Sequence, residues 1–299
     1  MNLSLLESPR WQEYELLDTG DGLKLERFGR YVFVRPEAQA MWRKSLPAAP
    51  WGDVHGVFQP SSEESGGHWE LKKKISERWE MRYTLESVSA PLRFGVMTTP
   101  GRHLGVFPET AAHWDWYAGL IAEARRPLKV LNLFGYTGLA SLACAAAGAQ
   151  VTHVDASKKS VTWGRENQSL SGLDDKPIRW MVDDALKFVE REARRGAQYE
   201  GILLDPPKFG RGPKGEVWEV YKALPALLET CRAILAPRPL FVALTMYAVR
   251  ASALHLRQSL AEMLADFGGE FDAGELVSRE SGPAQRLLSH AVYARWNAR

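Results

Sequence analysis

The sequence predicts an α/β fold built on an open, doubly wound and mostly parallel sheet. Three observations lead to this prediction. The segment Val130–Gly138 joins an apolar run to a glycine-containing turn, Asp155 ends the next apolar run, and Asp205 ends a third. The glycine-containing turn and the two aspartates each lie at the end of an apolar run of strand length. This arrangement is typical of sheets that bind ligands at their carboxyl edge.

Residues 1–108 are predicted to form a smaller, β-rich N-terminal domain. Short runs there alternate apolar and polar residues and are separated by turn-forming segments. The clearest are 31–34, 69–71, 79–85 and 92–97. The many tryptophans of this region indicate either core packing or base-stacking platforms beside Lys72–Lys74, and the sequence leaves both interpretations open.

Residues 109–299 are predicted to form the second domain, in which strands and helices alternate, as in a doubly wound sheet. The predicted helices are 109–125, 138–148, 157–171, 184–195, 216–236 and 250–267. The predicted strands are 130–134, 150–155, 178–182, 200–205, 239–245, 274–280 and 288–296. This makes a Rossmann-like sheet of seven strands. The last one has no following helix and is therefore expected to be antiparallel.

Composition narrows the class of protein. The chain has 299 residues, 45% apolar residues and a net charge of +2, so any nucleic-acid surface must be a local patch. We see no apolar run of membrane-spanning length and no secretion signal, and we expect a cytoplasmic protein. The two cysteines, Cys144 and Cys231, lack metal-ligand spacing, so neither a disulfide nor a metal site is expected.

The turn after the first strand of the second domain has features of an anion-binding loop. Gly135 and Gly138 allow backbone amides to approach a ligand, and the N-terminus of the following helix favours an anionic group. The Gly-x-Gly-x-x-Gly pattern of a nicotinamide site is absent. A plain tight turn is the alternative interpretation.

Asp155 follows Gly138 at about the spacing from which an acidic side chain accepts hydrogen bonds from ribose hydroxyls. Ala156 and Ser157 would then line the base. Asp183-Asp184 ends the next strand, and Asp184 either accepts a hydrogen bond from an adenine amino group or caps the following helix. One carboxylate can serve both purposes.

Asp205-Pro206-Pro207-Lys208-Phe209 is the most specific single motif. Two consecutive prolines restrict the backbone and fix the Asp205 carboxylate and nearby carbonyls as acceptors at the sheet edge. Such acceptors suit a planar amino or imino group. Asp205, Pro206 and Lys208 are therefore the candidate catalytic residues, although Lys208 is equally explained as a phosphate contact or a solvated side chain.

These motifs resemble class I S-adenosylmethionine-dependent methyltransferases, and among them the bacterial large-subunit rRNA methyltransferase family. The family patterns Asn-x-Phe-x-Tyr-Thr-Gly and Asp-Pro-Pro-Lys/Ala-Phe match residues 132–138 and 205–209. The resemblance covers residues 100–299 well and the first hundred residues loosely. It implies S-adenosylmethionine as cofactor and RNA as partner. The implied cofactor-binding residues are Phe107, Asn132, Phe134, Gly135, Tyr136, Thr137, Gly138, Asp155, Ala156, Ser157, Asn167, Asp183, Asp184 and Asp205.

One departure from the family bears on the chemistry. Members that methylate cytosine C5 carry a Thr-Cys pair after the fifth strand, whereas this chain has Thr245-Met246-Tyr247. Covalent C5 chemistry is therefore disfavoured. The sequence favours direct methylation of a nucleobase nitrogen in RNA, in which the protein mainly positions the two reactants. The alternatives are a small-molecule or protein acceptor, and an RNA-binding module without activity.

Overall fold

A computed structural model describes residues 2–8, 11–61, 66–88 and 91–298. The N-terminal region contains strands β1 (Ser4–Glu7), β2 (Tyr14–Gly20), β3 (Leu23–Phe28), β4 (Tyr31–Pro36), β5 (Gly56–Pro60), β6 (Gly67–Leu71), β7 (Trp79–Tyr83) and β8 (Leu92–Val96), with a short helix α1 (Ala48–Gly52) between β4 and β5. Strands β2 to β6 form one sheet in sequential order, and β7 and β8 pair as a hairpin. The predicted β-rich front is thus present.

The rest of the chain alternates helices and strands. After a 3-10 turn (Pro108–Thr110) come α2 (Ala111–Ala124), β9 (Lys129–Leu133), α3 (Leu139–Ala146), β10 (Gln150–Asp155), α4 (Lys158–Leu170), β11 (Ile178–Val182), α5 (Ala185–Arg194) and β12 (Gly201–Leu204). There follow β13 (Phe209–Arg211), β14 (Val217–Glu219), α6 (Val220–Ala233), β15 (Phe241–Met246), α7 (Ala253–Met263), β16 (Glu270–Arg279) and β17 (Leu287–Asn297).

The main sheet has the strand order β1-β16-β17-β15-β12-β9-β10-β11. All neighbours are parallel except β17, which is antiparallel to β15 and β16, as predicted for the last strand. The predicted count of seven strands is wrong for the described chain, because β1 adds an eighth strand beside β16. A four-residue edge strand far from its partner in sequence carries too little periodicity to be detected.

The sheet is buried on both faces, which explains its apolar strands. The core on one face joins α2 and α3 to the N-terminal strands, so that Phe28, Phe33, Phe94 and Leu142 belong to one cluster. The other face is covered by α5, α6 and α7. The sheet order reverses between β9 and β12, where a crevice opens for a ligand in folds of this type.

The tryptophans of the N-terminal region pack in its interior. Trp79 is buried, and Trp11, Trp42 and Trp69 are partly buried against the main core. Trp51 packs against a smaller cluster and donates its indole hydrogen bond to Asp18 at 3.0 Å. These contacts favour core packing over base stacking for these rings.

A buried ionic network joins the N-terminal sheet to the β16–β17 loop. The Arg286 guanidinium donates to Glu280 and Asp18, both at 2.9 Å, and Glu280 accepts from the Thr19 amide at 2.9 Å. Both carboxylates are fully buried. Buried charges are tolerated only when they are paired, so each member of the network depends on the others.

We predict that Arg286→Ala lowers the free energy of unfolding by about 3–5 kcal/mol, because it leaves two buried carboxylates without their counter-ion. Urea unfolding of the purified protein measures the loss. The matched control is Arg279→Ala, which removes an exposed pair with Glu7 and should cost less than about 1 kcal/mol. Equal losses in the two variants would contradict the assignment.

Candidate cofactor and acceptor site

Loops from five strands meet at the carboxyl edge of the sheet, because parallel strands end on the same side. They line a cleft of about 250 Å³. Its lining residues are His103, Phe107, Phe134, Tyr136, Val154, Asp155, Ala156, Asp183, Asp184, Ala185, Asp205, Pro207, Gly210, Arg211, Gly212, Trp218 and Tyr247. The three signals of the sequence thus lie at one edge of the sheet.

The turn after β9 is sterically determined. Phe134 and Tyr136 adopt positive φ values of 59° and 49°, which non-glycine residues rarely do. A Cβ atom at Gly135 would lie 2.4 Å from the His153 ring, so only glycine fits there. Gly138 has a φ of 84° and is the N-cap residue of α3. Such strain concentrates at functional sites.

Asp155 connects this turn to β10. Its carboxylate accepts hydrogen bonds from the Tyr136 amide at 2.9 Å and from the Ser157 amide at 2.8 Å. Burial raises its pKa, although the two amides act in the opposite direction. The side chain is therefore held rigidly at the cleft wall, with the geometry of an acceptor for a polar ligand.

The acidic pair after β11 is committed to contacts within the protein. Asp184 caps α5, accepting from the Lys187 amide at 3.0 Å. Asp183 pairs with Arg191 and accepts from the Asp184 amide. Both residues also line the cleft. Asp184 therefore caps the helix and can still contact a ligand.

Asp205 stands at the junction of three cavities. Besides the large cleft it lines two smaller cavities of about 80 Å³ each. Its Oδ1 atom is buried and has no hydrogen-bond partner among the described residues. Burial, together with nearby Glu109, raises the pKa of Asp205 to about 7. An unsatisfied buried carboxylate is costly, which favours a polar ligand as its partner.

The first small cavity lies between Gly135 and helix α2. Two buried side chains from successive turns of α2, His113 and Tyr117, line it, and neither ring nitrogen of His113 nor the Tyr117 hydroxyl has a partner among the described residues. Burial lowers the pKa of His113 to about 3, so the imidazole is neutral at pH 7 and offers one donor and one acceptor. These atoms are available to a bound ligand.

The second small cavity opens toward the N-terminal sheet. Lys24, Arg35, Arg102, Glu109 and His290 contribute to its wall. Two of its three cations are neutralised, because the Arg35 guanidinium donates to both oxygens of Glu26 and Lys24 lies 3.3 Å from Glu37. This cavity is therefore better suited to the polar edge of a small planar group than to a phosphate.

Aromatic rings separate the large cleft from this second cavity. Phe107 lies 4.8 Å from His103, 5.5 Å from Tyr136 and 6.1 Å from Tyr247, measured between ring centroids. Burial lowers the pKa of His103 to about 3, so its ring is neutral at pH 7. The wall offers apolar surfaces for stacking on both sides.

The predicted site residues divide into two groups. Those that line the cavities are Phe107, Asn132, Phe134, Gly135, Tyr136, Thr137, Asp155, Ala156, Asp183, Asp184 and Asp205. Gly138, Ser157, Asn167, Pro206 and Lys208 lie outside the cavity walls. Asn167 supports the turn after β9, because its side-chain amide donates to the Thr137 carbonyl at 3.0 Å, and Ser157 caps α4.

Sequence reasoning missed several residues of the site. His113, Tyr117, Trp218, His290 and the Lys24 side chain have no motif around them, and only the tertiary fold brings them to the cavities. Tyr247 follows Met246, the residue that stands in place of a cysteine, and no sequence pattern indicates that it lines the cleft. A detectable signal was available for His113 and Tyr117, which are polar residues spaced four apart on an otherwise apolar helix face.

Both cysteines are far from a reactive arrangement. Cys144 and Cys231 are buried in α3 and α6, and burial raises the pKa of each thiol. Neither residue lines the cavities at the sheet edge. A thiol in such surroundings stays protonated and unreactive.

Comparison with known proteins assigns this site to a family. A family model for S-adenosylmethionine-dependent methyltransferases matches residues 70–244, more than half of the chain. The chain belongs to this methyltransferase family. It is therefore an enzyme, and S-adenosylmethionine is its cofactor. The orphaned atoms of Asp205, His113 and Tyr117 and the strained β9 turn fit a polar, elongated ligand at the sheet edge.

Solved structures agree with the family. A methyltransferase from Agrobacterium tumefaciens is 46% identical with a TM-score of 0.92, and the match covers 100% of this chain and 95% of that one. A methyltransferase from Streptococcus mutans, 18% identical, has a TM-score of 0.68 and shares the fold over 96% of this chain and 76% of its own.

Curated relatives include proteins named ribosomal RNA large subunit methyltransferase K/L. The protein from Shewanella sp. strain ANA-3 is 31% identical over 188 residues, which are 60% of this chain and 25% of that protein. The one from Pseudoalteromonas translucida is 36% identical over 119 residues, or 39% and 16% of the two chains. The chain thus spans about a quarter or less of the length of these relatives.

Among the described residues, none of the helices combines the length and apolarity needed to cross a membrane.

Proposed function

We propose that this methyltransferase modifies a nucleobase nitrogen in ribosomal RNA, without a cysteine nucleophile. The observation that carries the proposal is the buried Oδ1 atom of Asp205, which has no partner among the described residues and lies beside a small cavity. The names of the curated relatives support RNA as the substrate. We further propose that residues 1–108 form the acceptor-binding domain, that residues 109–299 form the catalytic domain, and that the enzyme acts in the cytoplasm.

The reaction requires a nucleophile, a methyl donor and a destination for a proton. When bound, S-adenosylmethionine would supply a methyl group on its sulfonium sulfur. The acceptor nitrogen would form a bond to that methyl carbon while the carbon–sulfur bond breaks, and the sulfur would leave as a thioether. Asp205 orients the N–H bond of the acceptor by accepting its hydrogen bond, and it takes the proton released when the new N–C bond forms. The aromatic rings of Phe107 and Tyr247 hold the base plane and exclude water.

The positions of the sulfur atoms support a reaction without thiolate chemistry. Thr245 lines the Asp205 cavities at the position that carries a reactive pair in C5-specific relatives, and Met246 follows it in place of cysteine. Cys144 and Cys231 are buried in helices with raised pKa values. Direct displacement by a ring or amino nitrogen needs no such nucleophile.

We predict that activity depends on pH through Asp205. The carboxylate must be ionised to accept a proton, and its pKa is about 7, so kcat/KM should fall about tenfold per pH unit below this value and level off above it. Asp205→Asn keeps the shape but cannot accept a proton. It should lower kcat by roughly 100- to 10,000-fold and remove this pH dependence.

The matched control for this experiment is Asp174→Asn, which changes an exposed carboxylate that accepts a hydrogen bond from the Ser169 hydroxyl and should leave the profile unchanged. A wild-type rate that is flat between pH 5 and pH 8 would contradict a proton-accepting role for Asp205.

The two ends of the cofactor are assigned to different cavities. We place the adenosine end against Asp155, Ala156 and Asp184, where carboxylates can accept from hydroxyl and amino groups. The amino-acid end then reaches past Gly135 to His113 and Tyr117, whose unpartnered atoms match an ammonium and a carboxylate.

This assignment predicts that two substitutions affect the affinities for two ligands differently. Asp155→Ala should weaken both S-adenosylmethionine and 5′-methylthioadenosine by roughly tenfold or more, because both ligands carry the ribose. Tyr117→Phe should weaken only S-adenosylmethionine, by roughly 2- to 10-fold, because methylthioadenosine lacks the amino-acid end. Isothermal titration calorimetry measures both.

Thermal unfolding provides the control for folding. Tyr117→Phe removes a buried hydroxyl without a partner in the described structure and should not lower stability. Equal weakening of the two ligands by Tyr117→Phe would overturn the placement of the amino-acid end.

The acceptor is tested by labelling. The purified enzyme and methyl-labelled cofactor are incubated with unmodified large-subunit ribosomal RNA and, separately, with a protein extract, and the labelled RNA is digested to nucleosides. Label on a base nitrogen is the expected result. Label on carbon C5, or on protein alone, would refute the proposed function.

A further inference from the structure

A β-hairpin that the sequence did not predict projects from the Asp205 edge of the sheet. It consists of β13 and β14, and its pairing places Gly210 opposite Trp218 and Arg211 opposite Val217. Trp218 is 4% exposed, whereas Phe209 and Val217 are 55% and 58% exposed. The hairpin therefore has an inner face that packs on the enzyme and an outer face that lies in solvent.

The inner face is fixed to the cofactor site. Trp218 donates its indole hydrogen bond to the Pro207 carbonyl at 2.7 Å, and its ring lies 4.9 Å from that of Phe134 in the β9 turn. Lys187 on α5 donates to Glu216 at 2.8 Å. These contacts make the hairpin a firm support rather than a loose loop.

The outer face is unusually apolar for a solvated surface. Phe209 and Val217 on this face are more than half exposed, and so is Tyr221 at the start of the adjoining helix α6. Together they are three of the ten exposed large hydrophobic residues in the described part of the chain. They stand within one short segment that follows Asp205 directly. Clustered exposed apolar side chains commonly mark a binding surface.

The charge on this surface is positive. Arg211 and Lys214 form no ion pair with any described residue, and both are exposed. The acidic residues of the segment are already paired, Glu216 with Lys187 and Glu219 with Lys222. Exposed aromatic rings beside uncompensated cations suit a single nucleic-acid strand, which offers bases for stacking and phosphates for ion pairing.

We propose that the outer face of the β13–β14 hairpin binds single-stranded RNA next to the acceptor nucleotide, with a flanking base stacked on Phe209 and a phosphate paired with Arg211. The inference rests on the proposed function. The stacking position differs from that of the acceptor itself, because Phe209 lies outside the cavities that contain Asp205, whereas Arg211 also lines the large cleft. The hairpin would thus hold the strand while the acceptor base enters the site.

The test compares Phe209→Ala with wild type on unmodified large-subunit ribosomal RNA and on a short unstructured RNA. Loss of one stacking contact should weaken RNA binding and raise KM for RNA by roughly 5- to 150-fold. Phe209→Trp should restore both values. Affinity for S-adenosylhomocysteine should be the same in all three proteins, since Phe209 does not line the cofactor cleft.

In Arg211→Gln, the magnitude of the slope of log RNA affinity against log salt concentration should fall by roughly 0.7.

Leu170→Ala is the matched control, because Leu170 is an exposed apolar residue at the end of α4, and it should behave as wild type. If wild type methylates RNA and Phe209→Ala keeps its affinity and KM, the hairpin proposal is overturned while the proposed function stands. If wild type places no label on RNA, the proposed function fails. If label appears on protein alone, both fail.

Discussion

The hydrogen bond from the Tyr136 amide to the Asp155 carboxylate is the contact on which the rest of the site depends. It joins the turn after β9 to the end of β10 and holds Tyr136 at a positive φ that the residue would not adopt unaided. Asn167 extends this connection, because its side chain donates to the Thr137 carbonyl and accepts from the Gly95 amide of β8. The N-terminal hairpin and the cofactor turn are thus held by one buried side chain, which couples the position of one region to the geometry of the other.

The sequence allowed the sheet and its carboxyl edge to be predicted, because those features are encoded locally. Asp155 and Asp205 each end an apolar run, and the turn between Phe134 and Gly138 contains the glycines that its sterics demand. The predicted helix 216–236 illustrates where local sequence patterns fail to predict the structure. The structure starts α6 at Val220 and uses the preceding residues for β14, because Trp218 is required as an inward anchor against Phe134. That tertiary requirement overrides the local preference for a helix.

The second small cavity could not be predicted, since its residues come from separate parts of the chain. Lys24 and Arg35 belong to the N-terminal sheet, Glu109 precedes α2 and His290 lies on β17. No spacing rule connects them. Arg35 illustrates why a charge count is a poor guide to a partner, because its charge is balanced by the bidentate hydrogen bonds to Glu26. A cationic residue that is neutralised inside the protein adds nothing to attraction of a polyanion, whereas exposed Arg211 does.

The unsatisfied polar groups of the protein show how stability is balanced against function. Asp205, His113 and Tyr117 have buried atoms without partners, and all three line the same small cavity. Each such group costs folding free energy of about 1–3 kcal/mol. The Arg286 network avoids a cost of this kind, because its two buried carboxylates accept hydrogen bonds from the guanidinium. The polar atoms beside Asp205 are unpaired, whereas those around Arg286 are hydrogen-bonded. The unpaired atoms are therefore available to bind a ligand. The preorganised acceptors at the sheet edge then need no rearrangement when the reacting groups arrive.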